Sequence, residues 1–315
     1  MKNVKKTLLG LCIAVGLSVP AMAVAAPQIL WQNPQGEILW QQQQPSILWQ
    51  KQQAARKPAR QRARHPHIVP ARHPRIARGH RPLIAIDIDD MGVAFDRSLW
   101  ALDLPPAVTF AYLPYAHHLA LQVAEARAKG HEVILHMPME ADDPDEYPGP
   151  HNLSVDMTKA QLERNIEINL DAFSGYDGVN NHMGSRFTTY RPGLKLLMAQ
   201  LAKRHVYFMD SMTSAKSIAF DVARDYHIPA VRRDVFLDDV ATPAGVARQI
   251  NETMALARRY GDVIAIGHPK PATLAALEVW LPTLKKRGFD LVPVSAIVRY
   301  RNHEAAQRTP EDAGR

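Results

Sequence analysis

The chain has 315 residues, 46% hydrophobic and 22% charged: room for one large domain or two small ones, and too apolar for a wholly disordered chain. Its net charge of +7 is unevenly spread, with three lysines and no acid in residues 1–23, ten Lys/Arg against Glu37 in 24–82, and 25 Lys/Arg against 30 acids in 83–315. A nucleic-acid-binding protein carries its positive charge on the folded part. Here that part is mildly acidic, which argues against that class.

In chain order, Lys2, Lys5 and Lys6 precede an apolar run from Leu8 to Val19 and two small-x-small sites ending at Ala23 and Ala25. This pattern predicts a secretory signal peptide over 1–25, too short for a stable membrane span. Cys12, the only cysteine, lies inside it. The mature protein is therefore expected to lack disulfides, a cysteine nucleophile and cysteine-held metal. Residues 26–82 follow as a compositional island. Ile-Leu-Trp-Gln stands at 29–32, 38–41 and 47–50, and a Pro/Arg/His tract runs on to Pro82. Such a segment cannot bury enough apolar surface to offset its chain entropy and reads as a disordered linker. Its arginines would suit contact with anionic envelope material or a protein partner.

From Leu83 the pattern alternates. Short apolar runs at 83–88, 107–112, 132–135, 177–181, 205–209, 228–232, 262–267 and 289–293 read as buried strands. Amphipathic stretches at about 116–129, 158–173, 190–203, 243–260 and 272–287 read as helices, with Thr158 and Thr242 as caps. This alternation over 83–300 predicts a parallel sheet or a distorted β/α barrel, with 301–315 as a disordered tail. No G-x-G-x-x-G follows the first strand, which disfavours dinucleotide binding.

Asp89 and Asp90, His136, His182, Asp210, Asp234 and His268 each fall at the C-terminal end of an expected strand. In a β/α barrel that end is the active-site face. Two histidines and an aspartate suit one divalent ion such as Zn²⁺, with positions left for water and substrate. If the first strand continues through them, Asp89 and Asp90 point opposite ways, so that one binds metal while the other serves as base. His268, on another strand, could protonate a leaving group.

Together these strings resemble the polysaccharide deacetylase superfamily, with its NodB-like distorted barrel, and more closely its divergent bacterial branch. Ile86-Asp87-Ile88-Asp89-Asp90 is similar to the family's first motif, Gly130-His131-Glu132-Val133-Ile134-Leu135-His136 to its G-H-E run, and Ile266-Gly267-His268 to its late L-x-H motif. The resemblance implies that Asp89 is the catalytic base, Asp90 and His136 are metal ligands, and His268 is the general acid. Two departures stand out: Glu140 occupies the place of the usual second histidine, and no Arg-x-x-Pro is evident. His182, in Asn180-Asn181-His182-Met183-Gly184-Ser185-Arg186, is read as the replacement ligand, with Glu140 as the alternative. Arg186, Asp210 and Ser211 are expected to meet substrate, and Arg233, Asp234, Asp238 and Asp239 either to orient the base or acid or to pair at the surface.

The resemblance implies an exported, zinc-dependent hydrolase that deacetylates an N- or O-acetylated polysaccharide. Two alternatives stand beside it. One is a non-catalytic envelope protein of the same fold that binds glycan or protein. The other is a haloacid-dehalogenase-type phosphatase with Asp87-Ile88-Asp89 as nucleophile motif and Ser211, Lys216 and Asp238-Asp239 as later motifs.

Overall fold

The computed structural model describes residues 81–307 together with two short strands, Trp31–Gln32 and Ile38–Leu39, which pair antiparallel. These four residues belong to the first two Ile-Leu-Trp-Gln repeats, so their pairing departs from the disorder expected there. The expected signal peptide, the other residues of the expected linker up to 80, and residues 308–315 lie outside the described residues. No helix among the described residues is long and apolar enough to cross a membrane.

The strands are β1 (Leu83–Met91), β2 (Thr109–Tyr112), β3 (Glu132–Met139), β4 (Gly178–Met183), β5 (Tyr207–Asp210), β6 (Ala230–Arg232), β7 (Val235–Phe236), β8 (Asp262–Gly267) and β9 (Asp290–Leu291). They form one sheet in the order β6-β5-β4-β3-β2-β1-β8-β7, with β9 beside the start of β1. Every pairing in it is parallel. Only Arg233 and Asp234 separate β6 from β7, which sit at opposite ends of that order. Arg233 N donates to Asp210 O and Asp234 N to Ile264 O, so this stretch joins the two edges and closes the curled sheet. The distorted β/α barrel expected from the sequence is the observed fold.

Alternation along the strands sorts the core into two clusters. Ile84, Ile86 and Ile88 of β1 face outward into the larger cluster, beneath the helices. The helices are α1 (Phe95–Ala101), α2 (Leu119–Ala128), α3 (Lys159–Leu170), α4 (Arg191–Arg204), α5 (Ala219–Asp225), α6 (Pro243–Tyr260), α7 (Pro271–Trp280) and α8 (Val294–Gln307). The expected caps are present. Thr158 and Gln161 form a capping box on α3, and Thr242 accepts from Gly245 N on α6. Sequence periodicity missed α1, α5 and α8; the first two have only seven residues, two turns and too few for a helical repeat to stand out.

Ala85, Ala111, Ile134, Met209, Val231, Ile264 and Ile266 face inward and form the second cluster with Val294, Ile297 and Val298 of α8. Helix α8 thus plugs the N-terminal end of the barrel, leaving the polar residues above Ala85 and Ile134 in the same inward columns to fill the other end. The domain boundary expected at residue 300 cuts through this helix, which continues to Gln307. Arg301 explains why. Its guanidinium bonds Asp234 (Nη2 to Oδ2, 2.6 Å) and Asp262 (Nε to Oδ1, 2.6 Å), whose side chains are 5% and 6% exposed. Removing one partner of a buried ion pair costs about 3–5 kcal/mol. Arg301→Met is accordingly expected to lower the free energy of unfolding by about that amount in urea denaturation. An unchanged midpoint would show that α8 is held by its apolar face alone.

Candidate metal and acid–base centre

The site begins with a break in strand geometry. Asp87 and Asp89 keep the inward alternation of β1, but Asp90 adopts φ 58°, and the register with β2 shifts between Ile88 and Met91. A bulge of this kind re-aims a side chain. Asp90 therefore does not point away from Asp89, as an unbroken strand would require. Its carboxylate turns back over the barrel mouth and meets histidines from two other strands.

Those histidines are His136 of β3 and His182 of β4. Oδ1 of Asp90 lies 2.8 Å from His182 Nδ1 and 3.3 Å from His136 Nε2, and the two ring nitrogens are 3.2 Å apart. These three atoms form the one set of potential metal ligands found among the described residues. Asp90 Oδ1 is buried and makes no well-formed hydrogen bond despite the close rings. A buried oxygen left so, with two imidazole nitrogens converging on the same point, fits a bound divalent cation. Burial would raise the Asp90 carboxyl, but the imidazoles of His136, His182 and His268 around it hold it well below the usual range. His136 shows the converse: burial pulls its ring down, and Asp89 and Asp90 more than offset that.

Asp89 and His268 flank this cluster. Asp89 is 3% exposed, and its Oδ1 lies 3.7 Å from His136 Nδ1 and accepts from Asn180 Nδ2 at 2.7 Å. Gly267 pairs with Ile88, so His268 follows one step beyond the last β8–β1 pair, on a level with Asp89. His268 Nε2 stands 3.8 Å from Asp90 Oδ2. Nδ1 donates to Asp238 Oδ1 at 2.9 Å, while Asp238 Oδ2 accepts from His268 N and Thr273 Oγ1. Burial alone would depress the His268 ring, but the Asp238 carboxylate raises it to about 9. Asp238 itself is drawn down to about 2, because the His268 and Lys270 charges outweigh its burial. At neutral pH His268 is thus a cation with its Nε2–H turned to the site.

The structure gathers Asp89, Asp90, His136, His182 and His268, and places the other expected residues elsewhere. Glu140, the alternative ligand, is already committed: it accepts from Ser154 Oγ and Val155 N at 2.7 Å each and from Arg186 Nη1 at 2.5 Å. Arg186 also lies 3.7 Å from Asp156, so its charge is balanced within that loop rather than left for substrate. Asp210 is fully buried and accepts from Ser217 Oγ, Met212 N and Phe220 N, which orders the start of α5 and leaves nothing to face a substrate. Ser211 is 5% exposed, with its N donating to Asn181 Oδ1 and its Oγ buried without a partner. Arg233 and Asp234 are buried rather than paired at the surface; Arg233 binds the carbonyls of Ser211 and Met212. Lys216, required by the phosphatase alternative, is exposed, and Asp87 is enclosed within the barrel at 0% exposure.

Sequence reasoning gave no role to Tyr115, whose OH donates to Pro148 O at 3.1 Å. Burial and the nearby Asp90 and Tyr147 raise its hydroxyl to about 12, so it stays neutral beside the site. Gly149, at φ 108°, lets the backbone pass directly against that ring. Nothing in the Leu113–His118 loop distinguishes this tyrosine in sequence; only the fold brings it to Asp90.

Residues 86–298 match the family described as divergent polysaccharide deacetylase. The chain belongs to that family. Among its relatives are the uncharacterized Escherichia coli (strain K12) protein YibQ, 36% identical over 197 residues, and an uncharacterized Haemophilus influenzae protein, 32% identical over 201 residues. These matches cover 62% and 64% of this chain, and 61% and 71% of the relatives' own lengths. An uncharacterized protein from Agrobacterium tumefaciens has a crystal structure similar to this fold, with a TM-score of 0.66 and 29% identity, over 71% of this chain and 92% of that one. Family membership removes the phosphatase alternative. It leaves the chemistry of this family member to be argued from its own residues.

Proposed function

We propose that this chain is an exported, zinc-dependent hydrolase that removes N- or O-acetyl groups from an envelope or extracellular polysaccharide. The observation that carries the reading is the Asp90–His136–His182 cluster, with a carboxylate, Asp89, and a cationic imidazole, His268, on either side of it. Asp90 Oδ1, His136 Nε2 and His182 Nδ1 would hold the ion. Once bound, the ion polarises the acetyl carbonyl and lowers the pKa of water. Asp89 takes the proton of the attacking water, and His268 gives its Nε2 proton to the departing amine or alcohol. Tyr115, close to Asp90, and its neighbour Tyr147, which is 71% exposed, offer aromatic surface of the kind that packs on a sugar ring.

Purified mature protein, stripped with chelator and reloaded with Zn²⁺, tests this directly. The expected result is one bound ion per chain, with acetate released from acetylated oligosaccharides only after reloading. A fully loaded protein that releases acetate from neither amide nor ester substrates would put the non-catalytic binding reading ahead.

The acid has its own signature. A general acid must be protonated, and the Asp238 carboxylate raises the His268 ring, so kcat should fall on an alkaline limb that lies above the ordinary histidine range. In Asp238→Asn the ring loses the carboxylate that raises it, and this alkaline limb should move down toward the ordinary histidine range. An alkaline limb that stays in place would remove His268 from the role.

A further inference from the structure

Asn180 sits on β4 directly across from His136 in the β3–β4 register, and both side chains point into the barrel. It is fully buried and all its polar atoms are used. Nδ2 donates to Asp89 Oδ1 at 2.7 Å and to Asp87 Oδ2 at 3.0 Å, while Oδ1 accepts from His136 Nδ1 at 2.6 Å. We infer that Asn180 is the positioning residue of the centre, with one end of its amide fixing the tautomer of His136 and the other holding Asp89.

The argument turns on which way an amide can face. An ionised carboxylate only accepts hydrogen bonds. With the Asp89 carboxylate 2.7 Å from one end of the Asn180 side chain, the NH₂ lies there and the carbonyl faces His136. Flipping the amide would set its oxygen against the Asp89 carboxylate. A carbonyl only accepts, so the His136 nitrogen facing it carries the proton. That leaves the lone pair on Nε2, which stands 3.3 Å from Asp90 Oδ1 and 3.2 Å from His182 Nδ1. Asp87 has no place in the acid–base chemistry itself. Burial and the neighbouring Asp89 raise its carboxyl well above the usual range, and its Oδ1 has no partner. Its Oδ2 takes the second NH₂ hydrogen of Asn180, which leaves neither amide hydrogen without an acceptor.

The inference rests on reading Asp90, His136 and His182 as ligands, and its test separates the two ideas. In the full mature chain, Asn180→Leu removes both ends of the amide at similar volume. Zinc affinity, measured by competition with a chromophoric chelator, should fall about 10–100-fold, the usual cost of losing a partner outside the ligand set. Asn180→Asp keeps an acceptor for His136 but cannot donate to Asp89 as the amide does. It should bind zinc within a few-fold of wild type and lose acetate-releasing turnover at saturating zinc. A purely structural role would lower both measurements together in both variants.

Nitrogen-15 spectra of the zinc-loaded wild-type chain avoid any folding defect. The His136 ring should show a slowly exchanging proton on Nδ1. A proton on Nε2, or wild-type zinc affinity in Asn180→Leu, would overturn the inference. Should wild type release no acetate while Asn180→Leu still loses zinc, the role of Asn180 stands and the deacetylase reading falls.

Discussion

Asp89→Asn is expected to lower acetate-releasing turnover by about 10²–10⁴-fold, the usual contribution of a general base, while zinc remains bound. The substitution keeps the shape of the side chain and removes its ability to take a proton. Asp89 is 3% exposed and held by Asn180, so the amide has no room to swing away and let solvent take over the role. The cation is expected to stay because the three converging ligand atoms come from Asp90, His136 and His182, not from Asp89. His268→Ala should show the same separation, since its ring stands 3.8 Å from Asp90 and is held by Asp238 instead. The measurement is turnover and metal content on the same samples. If either variant loses its ion as readily as Asp90→Ala does, the roles are misassigned.

His182→Ala is expected to weaken zinc binding by more than the ~10–100-fold typical of losing an outer partner, because a direct donor is gone. Glu140→Ala should leave affinity within a few-fold of wild type. The reason is geometric: Glu140 already accepts from Ser154, Val155 and Arg186. Those bonds hold its carboxyl below the ordinary range, more than offsetting its partial burial. What Glu140→Ala should damage is the bridge that Glu140 makes between Ser154 and Arg186, seen as a modest loss of thermal stability. Equal zinc affinity in wild type and His182→Ala, with a loss in Glu140→Ala, would reverse the ligand assignment.

These expectations show which parts of the site were legible in sequence. Strand ends were, because the apolar runs of a parallel barrel bring the polar residues at their C-terminal ends together at one mouth. Asp89, Asp90, His136, His182 and His268 all follow that rule. The turn of Asp90 was not legible. Alternation assigns it to the opposite face from Asp89, and a left-handed residue at a bulge leaves little trace in an Asp-Asp-Met-Gly string. Asn180 was hidden for another reason: a neutral amide inside a strand carries no signature until its cross-strand neighbour is known to be His136. Asp210 and Arg186 misled in the opposite direction. Both have the chemistry of substrate contacts, but their partners, Ser217 and Glu140, are brought to them only by the fold. The tail boundary failed because Arg301 looks like one more exposed basic residue until Asp234 and Asp262 close round it.

The chain order of the sheet carries a kinetic consequence. β1 pairs on one side with β2, close behind it, but its other neighbour is β8, and β9 adds Asp290 beside Leu83 at the very start of the domain. Contacts across such separations are slow to form, because the loop entropy they cost precedes any gain. Asp90 comes from β1, while His136 and His182 come from the nearer strands β3 and β4. His268 follows β8 and depends on closure between the two ends of the chain. A chain lacking its last strands could thus gather the three candidate ligands yet have no acid beside them. The proton donation proposed for His268 would wait for the whole domain, and its onset during refolding would time the closing of the barrel.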